Sequence, residues 1–508
     1  MELLNTIMTW IMKKRISQIE LFMKNPLEVQ AEQFKKLIHT AQQTEWGRKY
    51  HYASITSVKE YQQRVPLSSY EEIFPYIDRL MKGEQNLLWP SEIKWFAKSS
   101  GTTNARSKFI PVSTEALEDC HFRGGKDLMT VYVNNNPDTK VFVGKGLAIG
   151  GSYQLSQENP DVYYGDVSAV VMKNLPIWAQ FIRTPGLEIA LMNEWEEKLE
   201  KMAKVTSQEN VTSILGVPTW TIVLLQKILE ITGKSNILEV WPNLEIFAHG
   251  AVSFTPYRAV FQQLIPSPHM KYVEIYNASE GFFGIQDQSD IADMLLMLDY
   301  GVFYEFIPVE EMDKEHPKML TLGEVELNKV YALIISTNSG LWRYNIGDTV
   351  KFTSLSPYRI RISGRTKHFI NAFGEELMVE NAEQAITKAC QESGAIISNF
   401  TAAPIYMETS GKGGHEWIIE FVKEPSSLKQ FIHVLDATLR EINSDYDAKR
   451  YKDIALQLPL VHSVQEGTFY QWMKKRNKLG GQHKVPRLSN SREYVDDILS
   501  MMEVSKGA

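Results

Sequence analysis

Three short stretches of the chain hold the residue types that phosphate and carboxyl chemistry needs. "KSSGTTNARSK", residues 98–108, sets Ser99, Ser100, Thr102 and Thr103 around Gly101 and ends in Lys108. Short hydroxyls and close-approaching backbone N–H groups converge well on phosphate oxygens, and a lysine adds a point charge. The bland alternative is a solvated Ser/Thr turn, and the Walker pattern is absent. "EIYNASEGFFG", residues 274–284, is a β-run closing on Tyr276, Ala278, Ser279 and Glu280. A carboxylate at such a strand end can hold Mg2+ beside a phosphate, and otherwise reads as a loop acid. "WRYNIGDTVKF", residues 342–352, presents Asp348 on a Gly-Asp turn between strand-like runs. Turn chemistry explains it at its simplest; an acceptor for two ribose hydroxyls is the functional alternative.

Two weaker stretches lie toward the C-terminus. "SGRTKHFINAFGEEL" carries Arg365 and Lys367 ahead of a Gly374 turn, and "QHKVPR" places Lys484 in a basic run that by itself reads as a solvated face.

The elements that must position these residues follow from the patterning. Residues 1–97 read as mostly helical; beyond 98, β-rich runs alternate with helical ones, which predicts an α/β sheet that is at least partly parallel. From about 300 the chain turns strand-rich, and after "ISGRTKHF" a small α+β domain is expected. The expected architecture is a large, multi-layer α/β N-terminal domain with a β-rich subdomain over 1–362, and a small α+β domain over 363–508. With no flexible linker between them, a hinge near 363–370 is expected. A length of 508 residues fits more than one domain.

Bulk properties exclude several classes. A net charge of −7 argues against a nucleic-acid partner. Two cysteines, Cys120 and Cys390, exclude a disulfide scaffold and fit a cytoplasmic protein. No apolar run is long enough to span a membrane. In "MELLNTIMTWIMKKRISQIE" the basic residues follow the apolar stretch, unlike a signal peptide, so an amphipathic helix docked on the core is expected, without stable membrane association. Nothing in the sequence sets an oligomeric state.

The order of the motifs adds what none carries alone. "SSGTT…K", "YNASEG", "YNIGD" and "GRTKHF" form the succession of adenylate-forming enzymes. More narrowly, "TEWGRKY", "GEQNLLWPSEIKWFAKSSGTT", "GVPTW", "FGEE", "NSDYDAKR", "EGTF" and "QHKVPR" resemble the auxin-responsive acyl-acid amido synthetases of plants and their bacterial relatives, over about residues 30–490. The resemblance implies ATP and Mg2+, a small carboxylic acid activated as its acyl-adenylate, and an amino acid as acceptor. It implies that Ser99 to Thr103 with Lys108 cradle phosphates, that Tyr276, Ala278 and Ser279 line the adenine and α-phosphate side, and that Glu280 holds Mg2+. Asp348 then takes the ribose, Arg365 and Lys367 sit at the hinge, and Lys484 reaches the adenylate. Arg123, Gly216 and Thr219 lie in segments that resemble acyl-pocket linings.

Three motifs depart from the superfamily pattern. Asn104 and Ala105 stand where a second loop glycine is usual, Asn345 replaces an arginine, and His368 stands in place of an aspartate. An acyl–coenzyme A ligase and a non-catalytic binding relative are the rival readings. The retention of Glu280, Asp348 and Lys484 speaks against the second.

Overall fold

The computed structural model describes the chain except residues 1, 100–107, 157–158, 252–253, 255–256, 290, 313, 366–368, 371–374, 376, 406–412, 444–445, 448–449, 451–455, 477, 479–484, 490 and 507–508. Two compact units divide it. The larger comprises Met1–Ala251 and Ile265–Ile362, and the smaller takes most of the chain from Ser363 onward. Phe254, Tyr257 and the helix Arg258–Leu264 group with the smaller unit, a departure from a simple division at 362/363.

Helices fill the first ninety residues of the larger unit, and several are begun by a local signal. Ser69 and Glu72 form a capping box that starts the helix Tyr70–Met81, and Thr44 and Ser57 cap the helices Glu45–Lys49 and Val58–Arg64. The N-terminal helix Glu2–Lys24 buries Met12, Ile19 and Phe22. Arg15, which opens as one more basic residue in sequence, grips Asp127 through Nε and Nη2 and reaches Asp299 at 2.7 Å. The helix is docked as expected, but through Met12, Ile19 and Phe22, whereas Ile7 and Ile11, part of the apolar spacing that suggested it, are exposed.

The strands come in chain order as β1 Trp95–Ser99, β2 Lys108–Val112, β3 Lys145–Ala148, β4 Tyr153–Leu155, β5 Tyr163–Gly165, β6 Arg183–Thr184, β7 Val211–Gly216 and β8 Ile246–His249. Then follow β9 Lys271–Ala278, β10 Gly281–Ile285, β11 Met294–Leu296, β12 Val302–Pro308, β13 Leu320–Thr321, β14 Val330–Thr337, β15 Tyr344–Leu355 and β16 Tyr358–Arg365. A four-stranded sheet has the order β2-β1-β5-β4, and a twelve-stranded sheet runs β13-β12-β14-β15-β16-β11-β10-β9-β8-β7-β3-β6. Strands β6, β3, β7, β8 and β9 are parallel neighbours, whereas β9 and β10 are antiparallel. The strand-rich stretch beyond 300 is therefore the antiparallel half of the same sheet that carries the parallel strands. Strand β9, which bears Tyr276, is the seam between the halves.

One stretch with helical patterning throughout is broken in two. "GLEIALMNEWEEKLEKMAKV" forms Leu187–Ala190 and Trp195–Thr206, because the Glu194 carboxylate accepts the Glu196 N–H at 3.0 Å and starts a new helix.

In the smaller unit, β19 Ile396–Ile405, β20 Gly414–Lys423 and β21 Leu460–Val464 form a three-stranded sheet, with β17 Phe369–Ile370 and β18 Leu377–Met378 as a separate pair. The helices Val379–Ser393 and Leu428–Ile442 bury Ile386, Phe431, Leu435 and Leu439 in a core shared with Phe400 and Trp417. That is the α+β composition expected of this region.

Candidate active site

Strands β1 and β2 pair antiparallel, with Ser99 opposite Lys108. The pairing closes the base of the 100–107 segment, so Ser99 and Lys108 flank it from adjacent strands. Ser100, Gly101, Thr102 and Thr103, with Asn104 and Ala105, lie outside the described residues. Lys108 is held by the helix that the capping box begins. Tyr70, its first residue, accepts the Phe109 N–H at 2.8 Å, and the Lys108 Nζ lies 5.5 Å from the Tyr70 ring centre. Burial raises the pKa of that phenol, against the Phe109 N–H that lowers it.

The second and third motifs meet. Tyr276, buried on β9, donates its hydroxyl to Asp348 Oδ2 at 2.6 Å, a short, charge-assisted bond. Asp348 itself is 5% exposed. Beyond Tyr276, Ala278 pairs with Gly281, so Ser279 and Glu280 form the turn of a β9–β10 hairpin; Ser279 is buried and Glu280 half-buried.

The expected Gly-Asp turn between two strands is corrected here. Strand β15 runs unbroken from Tyr344 to Leu355, and its register with β14 slips between the pairs Ile334–Asn345 and Ala332–Thr349. Residues 346–348 are thus a bulge, with Gly347 at φ +85°, a conformation few side chains tolerate. Asn345 Oδ1 accepts the Gly347 N–H at 2.9 Å, so the residue replacing the usual arginine closes the bulge that aims Asp348. Arg343 does not stand in for that arginine. It is buried, with Nε on Glu305 at 3.2 Å and Nη1 on the carbonyls of Gln62 and Val65.

A grip on the hairpin went unseen in the sequence. The helix that ends in Arg123–Asn135 contains a π-helical stretch, Leu117–Phe122, a wide turn often found at functional sites. It presents Cys120, whose buried Sγ accepts the Phe282 N–H at 3.1 Å, two residues past Glu280. Phe282 lies where the β9–β10 register shifts, and its ring packs on Gly124, where a Cβ would come within 2.4 Å. His121, next in the π-turn, is buried, and desolvation pushes its pKa down to about 4 against a hydrogen bond with Asn277. Burial likewise pushes the Cys120 thiol up to about 12, so it acts here as a hydrogen-bonding group, not a nucleophile.

Of the acyl-side candidates, Gly216 and Thr219 lie at the carboxyl end of the parallel strand β7, while Arg123 lies on the helix Arg123–Asn135. Gly216 closes β7 opposite His249 of β8, and a Cβ there would meet Thr221 Oγ1 at 2.9 Å and Ile149 at 3.4 Å. Thr219 enters the first turn of the helix Pro218–Thr232. Arg123 opens its helix and is already engaged: Nη1 donates to the Asp299 carbonyl at 2.9 Å and Nη2 pairs with Asp119. To meet a substrate carboxylate it would have to release Asp119.

Beyond β3, Lys198 Nζ donates to the carbonyls of Gly150 and Gly151 at 2.6 and 3.0 Å, and Asp166 accepts the Ser152 N–H at 2.9 Å. A Cβ on Gly151 would collide with that carboxylate at 1.6 Å. Burial pushes Lys198 down to about 8 and Asp166 up to about 6, and Lys98 of β1 is among the charges that hold Asp166 back. No local spacing marks these two residues, because packing of distant segments makes their environment.

In the smaller unit, Arg365 ends β16; Lys367, His368 and Lys484 lie outside the described residues. The C-terminal basic run is not simply a solvated face. Arg476 pairs with Glu493 and Asp497, and Arg487 is buried, donating to Asn399 Oδ1 and the Phe400 carbonyl. Among the described residues no cluster of three His, Cys, Asp or Glu could hold a metal. The single carboxylate of Glu280 at a hairpin turn suits Mg2+, which takes one or two carboxylates and completes its shell with phosphates and water. No helix is long and apolar enough to cross a membrane among those residues.

A mixed twelve-stranded sheet with Asp348 bulged beside Tyr276, and a smaller C-terminal α+β unit, is the fold of the adenylate-forming class. A 2-hydroxyisobutyryl-CoA ligase shares the fold at a TM-score of 0.61 and 10% identity, over 94% of this chain and 91% of that one. The profiles of the GH3 family N-terminal, central and C-terminal domains match residues 15–270, 295–365 and 380–493, and the chain belongs to the GH3 family. It is 21% identical to the indole-3-acetic acid-amido synthetase GH3.3 of Arabidopsis thaliana, over 93% of this chain and 91% of that protein. To a jasmonoyl–L-amino acid synthetase of Oryza sativa it is 23% identical, over 96% and 97%. The solved GH3.15 acyl acid amido synthetase superposes with a TM-score of 0.79 at 16% identity, over 96% of each chain.

Proposed function

We propose that this chain is an ATP-dependent acyl-acid amido synthetase. A carboxylate oxygen of a small acid attacks the α-phosphorus of ATP, and the bond to pyrophosphate breaks. The amine nitrogen of an amino acid then attacks the acyl carbon, the bond to AMP breaks, and the amine gives up a proton. The mixed anhydride makes the second step feasible, because phosphate is a far better leaving group than oxide.

The observation that carries this reading is the 2.6 Å bond from Tyr276 to Asp348, which joins two motifs 72 residues apart at one point of the larger unit. In the proposed site Asp348 accepts the ribose hydroxyls, Tyr276, Ala278 and Ser279 flank the adenine and α-phosphate, and Ser99 to Thr103 with Lys108 bind the phosphates. Glu280 would hold Mg2+, which supplies charge neutralisation to the phosphates. Residues 363–508 would act as a mobile small domain turning about 363–370, with Arg365 and Lys367 at the pivot and Lys484 brought to the adenylate. Free cysteines at both positions, Cys120 and Cys390, fit a cytoplasmic setting.

Exchange of labelled pyrophosphate into ATP, over a panel of carboxylic acids, tests adenylation. Amino acids or coenzyme A added to the productive acid then separate amide from thioester formation. Lys108→Ala and Glu280→Ala should each lower exchange by roughly a hundredfold. Full exchange in both variants would refute the site, and thioester as the sole product would refute the acceptor.

A further inference from the structure

Among the described residues, Arg183 is a buried charge without a counter-ion in contact. It opens the edge strand β6 opposite Gly146 of β3 and is 8% exposed. Its Nε and Nη1 have no hydrogen-bond partner, and its Nη2 meets the thioether sulphur of Met172 at 3.2 Å. Burial pushes its pKa down, and Glu188 opposes this through charge alone, without a hydrogen bond. A thioether is a weak acceptor, and a guanidinium buried with no anion in hydrogen-bond contact is costly to keep. Such a cost persists where the folded chain is shaped for something it binds.

The surroundings indicate what that is. Met172 fills the space between the guanidinium and the turn beyond β3, since a Cβ on Gly150 would come within 2.6 Å of its Cε. That turn belongs to the substrate end of the sheet: Ile149 packs on Gly216, and the Gly150 and Gly151 carbonyls are fixed by Lys198. Asp166, beside Gly151, is committed to the Ser152 N–H and to the charge of Lys198, and Arg183 is not among the charges that act on it. Ligands of open α/β sheets bind beyond the carboxyl ends of parallel strands. Methionine is unbranched and adaptable, able to swing from such a slot.

We propose that Arg183 is the carboxylate anchor of a substrate subsite, with Met172 giving way as the carboxylate enters. The guanidinium fork suits a carboxylate with two parallel hydrogen bonds. The inference rests on the amido synthetase reading, in which the carboxylate comes from the acceptor amino acid or from a second acid group on the acyl substrate.

The test compares the full-length protein with Arg183→Met and Arg183→Lys. Thermal melting is followed with each of the twenty amino acids, with ethylamine as the carboxylate-free partner of alanine, and with succinate and propionate as dicarboxylic and monocarboxylic probes. Without additives, Arg183→Met should melt at or above the wild-type temperature, because it removes an uncompensated buried charge. It should also lose the shift that an amino acid or succinate gives the wild type, while Arg183→Lys keeps part of it. In turnover, a rise of roughly ten- to a hundredfold in KM for the amino acid, with pyrophosphate exchange unchanged, assigns the anchor to the acceptor. The same rise for the acid, seen in exchange, assigns it to the acyl substrate. An Arg183→Met protein that melts lower yet keeps every carboxylate-dependent shift and both constants would overturn the proposal, as would a wild type that no carboxylate stabilises more than the variant. Absence of exchange with every acid would refute the amido synthetase reading instead, and the melting shifts would still decide for or against the anchor.

Discussion

A single hydroxyl ties Asp348, the proposed ribose acceptor, to Tyr276 on strand β9. Removing it with Tyr276→Phe leaves the Asp348 carboxylate buried and one bond short, and hydrogen bonds to charged groups contribute about 1.5–3 kcal/mol. The KM for ATP should rise by roughly ten- to a hundredfold, with the KM for the acid little changed. An unchanged KM for ATP would show that the bond is structural only. His121 gives a second prediction at this scale. Its folded pKa of about 4 lies below the usual value near 6.5 because burial disfavours the imidazolium. A depressed pKa stabilises the fold above pH 6.5, and that stability drains away as the pH falls toward 4, by up to about 3 kcal/mol. His121→Asn should melt lower at pH 7.5 but show a flatter decline between pH 6.5 and 4. A decline as steep as that of the wild type would assign the acid sensitivity to other groups.

The β9–β10 hairpin carries Glu280 on a two-residue turn, and a π-helical turn holds it by one sulphur. Ala at position 120 would leave the Phe282 N–H buried without a partner, at a cost of about 1–3 kcal/mol. Cys120→Ser keeps an acceptor there and should rescue much of the loss. If the grip sets where Glu280 sits, the Mg2+ concentration for half-maximal pyrophosphate exchange should rise several-fold in Cys120→Ala, with the acid KM unchanged. A drop in melting temperature with no change in Mg2+ dependence would mean that Cys120 only packs. None of this was readable from the sequence, where Cys120 is a lone cysteine in a helical stretch. The strand end at Glu280 was readable, because a β-run closes there on small residues, but its return as the antiparallel strand β10 was not. Asp348 was half readable. Gly-Asp announces positive φ correctly, but whether it ends a strand or bulges one depends on the pairing with β14, fifteen residues upstream.

At the scale of the whole molecule, alternation of strands and helices predicted the α/β class, while the joining of both strand-rich stretches into one twelve-stranded sheet did not follow from it. Sheet order is set by long-range pairing such as β11 with β16, which no local period encodes. The buried groups beyond β3 escaped for the same reason: Lys198, Asp166 and Arg183 acquire their surroundings from segments that meet only in the fold. The motif succession was legible because each motif needs particular residue types for its chemistry, wherever the chain places them. Lys484 is the motif residue that tests the division into two units. A lysine that stabilises charge developing on the α-phosphate acts in adenylation, and the acceptor step does not need it once the adenylate exists. Lys484→Ala should therefore lower pyrophosphate exchange by about a hundred- to a thousandfold. With acyl-adenylate supplied directly, amide formation should stay within about threefold of the wild type, a ratio small beside the tenfold that 1.4 kcal/mol represents. Equal losses in both half-reactions would assign Lys484 a role in binding the adenylate throughout, and would remove the reason for the small unit to take different positions in the two steps.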